Sequence, residues 1–190
     1  ISGSPFALWL LLQPGTIAKS TIRKHKAKRK NAPTAKKNAL LVYPEFATSF
    51  WGFKFALQYL GKKSSMPSLG LLTLANMFST DYNLRLVDMN VRPLTDADLH
   101  WADLVCTSTM IVQRNSLAQV IARVKRAGKP VVAGGPHPTS YWADIEDVDY
   151  FLLGEVEATF PLFLRDLENG TAQHLYVPRE KPAITQTPLP

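Results

Sequence analysis

Two adjacent glycines, Gly134 and Gly135, directly follow the apolar run Pro130-Val131-Val132-Ala133. Glycines at the end of a buried strand admit positive φ and let a flat or extended ligand lie against the backbone with no Cβ in its way. Earlier in the chain, Ser108-Thr109-Met110 closes another apolar run. A hydroxyl there can donate or accept a hydrogen bond in the crevice above a sheet. Taken singly, each feature is also the ordinary end of a strand. His137, held between Pro136 and Pro138, lies near the same crevice and reads as a structural loop histidine. Cys106 is the one cysteine of the chain. A single thiol cannot form an internal disulfide, hold an iron–sulfur cluster or complete a structural zinc site. Inside an apolar run it reads as a small buried hydrophobe. No triad, Walker loop or metal-ligand cluster accompanies these residues. They offer binding rather than a reaction of their own.

The elements that must position these residues follow a regular alternation from Asn38 onward. Ala39-Leu40-Leu41-Val42-Tyr43, ended by Pro44, is a short continuous apolar run, the mark of a strand buried on both faces. A loop rich in aromatics follows (Phe46, Phe50, Trp51, Phe53, Phe55, Tyr59). Residues 67–78 predict a helix with proline at its start, where no backbone donor is missed. The second strand is predicted over residues 84–88, a short helix over 96–101 and the third strand over 104–108. Apolar residues at 117, 120, 121 and 124 give residues 111–127 one buried helical face, with Gly128 as the C-cap. Residues 130–133 predict the fourth strand and 149–153 the fifth. A last helix over 155–168 is stopped by Asn169-Gly170.

Five strands alternating with helices imply right-handed crossovers and an open parallel sheet. The expected fold is α/β: a doubly wound five-stranded domain with the flavodoxin-like order 2-1-3-4-5. In that order the switch point falls between strands 1 and 3, and ligands bind over the carboxyl ends there. The residues so placed are Pro44 and Glu45, then Ser108, Thr109 and Met110, then Gly134, Gly135 and Pro136.

Charge separates a tail from this domain. Residues 1–37 hold nine Lys/Arg and no acid, whereas residues 38–190 hold thirteen Lys/Arg and fifteen Asp/Glu. The overall charge of +7 is therefore +9 in the tail and −2 elsewhere. The basicity says nothing of the domain's ligand, and nucleic acid is not an expected partner of the domain; a basic arm for RNA or anionic lipid is the alternative reading of the tail. Like charges at that density resist compaction, so the tail is expected to be disordered or a frayed helix. No run reaches the roughly 18–20 apolar residues that cross a bilayer. The apolar stub at residues 6–12 precedes its positive charges, the reverse of a secretory signal. A cytoplasmic protein is expected.

Together, Ser108-Thr109-Met110 and Gly134-Gly135 resemble the Ser-x-Leu and Gly-Gly signatures of cobalamin-binding domains, with Met110 in place of leucine, a volume-conserving change. Residues 67–75 (PSLGLLTLA), 87–90 (VDMN) and 132–139 (VAGGPHPT), with Gly154-Glu155-x-Glu157 after the fifth strand, resemble the N-terminal domain of B12-dependent radical S-adenosylmethionine (SAM) enzymes, the hopanoid methylase-like members above all. The resemblance covers roughly residues 38–175. It implies that the serine bonds the dimethylbenzimidazole tail of cobalamin and that the glycines make room for the nucleotide loop. It also adds His137, Gly154 and Glu155 to the candidate contacts.

Two departures qualify the resemblance. Many cobalamin domains carry Asp-x-His-x-x-Gly after strand 1, whose histidine ligates cobalt; the loop here, Pro44-Glu45-Phe46-Ala47-Thr48-Ser49-Phe50, has no histidine. Base-off binding with no ligand from that loop is implied. Radical SAM chemistry needs three cysteines, so neither the cluster nor SAM is expected on this chain. The resemblance implies a radical SAM domain, in cis or in trans, beyond a proline-rich linker at residues 176–190, and the chain is expected to stop short of it. The alternatives are a flavin- or nucleotide-binding domain, which lacks its Gly-x-Gly-x-x-Gly after strand 1, and a receiver-like domain, which has Ser108 where an aspartate belongs.

Overall fold

A computed structural model describes residues 35–47, 57, 59–62, 64 and 66–179. The basic tail up to residue 34, most of the aromatic-rich loop and residues 180–190 lie outside the described residues.

The apolar runs become strands because each is short, continuous and flanked by residues that stop it. They are β1 (Lys37–Tyr43), β2 (Tyr82–Asp88), β3 (Leu104–Ser108), β4 (Val131–Gly134), β5 (Tyr150–Leu152) and β6 (Leu175–Tyr176). All neighbours pair in parallel, in the order β2-β1-β3-β4-β5-β6. The doubly wound fold and the order of its first five strands are as expected; the strand count is not. The sheet has six strands rather than five. The sixth adds Leu175 and Tyr176 to the edge beside β5, so pairing runs one residue past the expected start of the linker.

Between the strands stand α1 (Leu69–Met77), α2 (Asp96–Trp101), α3 (Arg114–Arg126), α4 (Pro136–Tyr141) and α5 (Phe160–Glu168). Thr95 and Asp98 form a reciprocal capping box at the start of α2. Asp98 is buried and also takes Arg92 at 2.7 Å and Arg85 at 3.1 Å. Helix α3 is preceded by a 3₁₀ turn, Ile111–Gln113, so the expected single helix is in two parts. It ends in a Schellman motif, with Gly128 N–H donating to Lys125 O at 2.9 Å and Lys129 N–H to Val124 O at 3.1 Å. Helix α4 was not expected; its prolines occupy the first turn, where the missing donors cost nothing. The last helix starts five residues later than expected, since residues 156–159 form turns.

Strand alternation divides the core between two faces. On one, Leu40, Val42, Val105, Val131 and Ala133 pack with Leu117, Val120, Ile121 and Val124 of α3. On the other, Leu41, Cys106, Val132 and Leu152 meet Leu71 and Leu74 of α1 and Phe160 and Phe163 of α5. Among the described residues no helix is long and apolar enough to cross a membrane.

Candidate functional site

On the α1–α5 face the packing stops short of the carboxyl edge. Ser108, Gly134 and Leu152 stand side by side there, in register across β3, β4 and β5. Above them opens a cleft of about 680 Å³. Its floor is Cys106, Val132 and Leu152, one wall is Ser68, Gly70 and Leu71 at the start of α1, and the far rim is residues 154–157. Small side chains leave this space; the same strands are closed over on the other face by the branched residues of α3.

The geometry around Ser108 is tight. Gly135 has φ +92°, and a Cβ built on it would lie 2.7 Å from Ser108 Oγ, 2.8 Å from Thr109 N and 3.0 Å from Thr109 O. No L side chain fits there, because both the backbone angle and the contacts exclude it. A Cβ on Gly134 would lie 3.1 Å from the carbonyl of Leu152. Both glycines are therefore needed by the chain's own backbone. Thr109 is held by its N–H to Gly134 O (3.1 Å) and by its carbonyl accepting from His137 N–H (2.9 Å). Its hydroxyl is buried and has no hydrogen-bond partner, an uncommon condition for a buried donor. Burial pushes the Cys106 thiol up to about 12, so it stays protonated and serves as floor, not nucleophile.

Of the residues singled out from sequence, Ser108, Thr109, Met110, Gly134, Gly135, Pro136, Gly154 and Glu155 all line this cleft. Pro44 and Glu45 do not. Instead they brace it: Pro44 O accepts from the buried amide of Gln113 at 2.6 Å, and Glu45 N–H donates to Ser116 Oγ at 2.9 Å. Gln113 in turn accepts from Met110 N–H at 2.8 Å, tying the loop after β3 to the loop after β1. His137 faces elsewhere. With Arg114, Tyr141 and Ile145 it lines a second cleft of about 500 Å³. Its ring is buried, its Nδ1 has no partner, and burial, aided by the charge of Arg114, lowers its pKa.

Sequence reasoning did not single out Ser68, Gly70, Thr139 or Ser140 as site residues, yet all line the cleft. Thr139 Oγ1 accepts from Gly154 N–H at 2.9 Å, so α4 fixes the rim beyond β5. The available signal was Gly70 itself, a glycine inside a predicted helix. Among the described residues no lysine or arginine lines the cleft, and Glu155 and Glu157 stand at the rim. The described lining thus offers a ligand an apolar inner end and hydroxyls for its edge groups.

A glycine-walled cleft over β3 and β4 of such a sheet defines a class of cofactor-binding domain, and comparison with known proteins names it. The B12 binding domain family matches residues 62–164, and the chain belongs to that family. It is 40% identical over 154 residues to an uncharacterized methyltransferase of Synechocystis sp., over 80% of this chain and 29% of the relative. It is 29% identical over 156 residues to the hopanoid C-2 methylase of Rhodopseudomonas palustris, over 80% of this chain and 30% of the relative. A bacteriochlorophyllide d C-12(1)-methyltransferase of Chlorobaculum tepidum is 26% identical over 156 residues, covering 81% of this chain and 32% of its own. The chain spans about a third of the length of these curated relatives.

Proposed function

We propose that this chain is the cobalamin-holding module of a B12-dependent radical SAM protein of the methyltransferase class. One observation carries the reading: Ser108, with no side chain on either flanking glycine, opens onto a cleft floored by apolar residues at the carboxyl edge of the sheet. The residues present fit the nucleotide tail of a corrinoid. Cys106, Val132 and Leu152 would floor its base, Ser108 Oγ and the unpartnered Thr109 Oγ1 would hydrogen-bond its edge, and the backbone at Gly135 would lie against it. Bound methylcobalamin supplies a transferable methyl group. The domain's own work is to hold the tail, exclude water from it and fix the corrin's position.

Binding is base-off in this reading, because an occupied tail pocket removes the lower base from cobalt, and His137 serves the opposite face of the sheet. With a single cysteine, these residues supply no cluster and bind no SAM; a radical SAM domain, in cis or in trans, provides both. In this reading the cobalamin module runs from β1, opened by Lys37, through β6, closed by Tyr176, with a basic extension before it and a linker toward the partner domain after it. A cytoplasmic location is part of the same reading. Flavins and nucleotides are disfavoured by the absence of a glycine-rich turn after β1.

The test is titration of the chain with hydroxocobalamin and methylcobalamin, followed by visible absorption. Stoichiometric binding with a base-off spectrum, weakened by Ser108→Trp, is expected. A base-on spectrum on binding, or a Ser108→Trp variant that binds as well as the parent, would overturn the tail-pocket reading. Gly135→Trp is a poorer probe, since any side chain there collides with Thr109 backbone.

A further inference from the structure

Seven glycines fall within the described residues, and six have a reason internal to the fold. Gly61, Gly128, Gly135, Gly154 and Gly170 all hold positive φ, and Gly134 is pressed against a neighbouring carbonyl. Gly70 has neither reason. It is the second residue of α1, in ordinary helical backbone, where glycine is the weakest helix former apart from proline. A Cβ on it would meet only Ser108 Oγ, at 3.4 Å, an ordinary contact. Nothing in the folded chain requires the side chain to be missing.

Its place supplies the reason. Gly70 is exposed and lines the cleft, and a Cβ on it would point toward Ser108 Oγ, the same hydroxyl that Gly135 packs against from the end of β4. Ser108 is therefore bordered on the cleft side by a bare glycine of α1, while Gly135 packs directly against it. Ser68 stands at the N-cap position of α1, buried and lining the cleft, yet makes no capping hydrogen bond. Thr109 adds a buried hydroxyl with no partner. A cleft with a bare backbone wall at Gly70 and hydroxyls beside it fits a flat heteroaromatic ring, one face of which meets that backbone while its edge atoms meet the hydroxyls.

We infer that Gly70 is a specificity-determining residue: its absent side chain keeps the cleft open beside Ser108, so the chain selects corrinoids that carry a nucleotide ending in a planar base over corrinoids that lack one. The inference rests on the cobalamin reading above. It predicts that a side chain at Gly70 harms recognition of the base and leaves recognition of the corrin alone.

The experiment compares cobalamin, which carries a benzimidazole base, with cobinamide, which has none, on the full chain and on Gly70→Ala and Gly70→Leu. The unaltered chain is expected to bind cobalamin at least about tenfold tighter than cobinamide. Gly70→Leu should weaken cobalamin by about tenfold or more, with cobinamide changed by less than about twofold. Gly70→Ala should give a smaller loss and raise the Tm of the ligand-free chain, because alanine favours the helix; it also keeps the test intact if the leucine variant fails to fold. Equal weakening of both ligands by Gly70→Ala, or no weakening of cobalamin by either variant, overturns the inference while leaving the cobalamin reading in place. Binding of neither corrinoid by the unaltered chain overturns both.

Discussion

The two faces of the sheet share the same strands but end differently at the carboxyl edge. Toward α3, Val105, Val131 and Ala133 are covered by Leu117, Val120, Ile121 and Val124, all within 3% of full burial. Toward α1 and α5, Cys106, Ser108, Val132 and Gly134 alternate with those residues along the same strands, and the helices leave a cleft above them. One face spends its apolar surface on stability. The other keeps small residues and two hydroxyls without an inward partner at the place where an open α/β sheet binds its ligand. The face with the cleft is thus distinguished by what its residues omit, not by any added reactive group.

This contrast can be broken on the packed side first. Leu117→Ala, at a site 1% exposed, should cost about 3 kcal/mol of stability by the lost burial and the cavity left behind. Chemical unfolding would measure it. Because Leu117 serves the α3 face, cobalamin affinity at low temperature should be unchanged; a selective loss of affinity would show that the two faces are not separable.

A smaller effect is expected at the edge of the sheet. The Arg92 guanidinium, with Thr95 and Arg85, holds the Asp98 carboxyl well below the usual carboxylate range against the opposing effect of burial. A carboxylate whose folded pKa is depressed stabilises above its unfolded value and loses that contribution as pH falls through the folded one. Asp98→Asn should therefore cost about 2 kcal/mol at neutral pH, the scale of hydrogen bonds to a charged group. The cost should shrink steadily below roughly pH 4, where the parent loses the same contribution. Denaturation curves of the two proteins from neutral to acid pH would check both the size and the sign.

The smallest effect sharpens the open face. Thr109→Val removes a buried hydroxyl that has no partner in the folded chain. The ligand-free protein should be unchanged or more stable by up to about 1 kcal/mol, since nothing is lost but an unpaired polar group. Cobalamin should bind several-fold more weakly. Melts with and without cobalamin would separate the two; a destabilised ligand-free protein would mean the hydroxyl serves the fold.

Most of this architecture was legible because buried parallel strands are continuous apolar runs. Ala39 to Tyr43 and Leu104 to Ser108 announce themselves, and their alternation with helices carries the order of the first five strands. What escaped depended on distance in sequence or on shortness. Leu175 and Tyr176 are too few to form a pattern and are strand only because β5 offers its edge. Helix α4 hid behind Gly135-Pro136-His137-Pro138, whose glycine and prolines read as a turn although the prolines sit in a first turn that tolerates them. For the site, the strand ends were placed by topology alone. Gly70 and Thr139 reach the cleft through long-range packing that no local spacing records, and His137, two residues past Gly135, turns to the opposite face.

The central claim is most directly tested by passing the chain with a slight excess of methylcobalamin through a sizing column. The chain is expected to elute with one equivalent of corrinoid, and to do so without added partner protein. Elution of a demonstrably folded chain free of corrinoid, at concentrations of tens of micromolar, would contradict it and return flavins and nucleotides as candidates for the cleft.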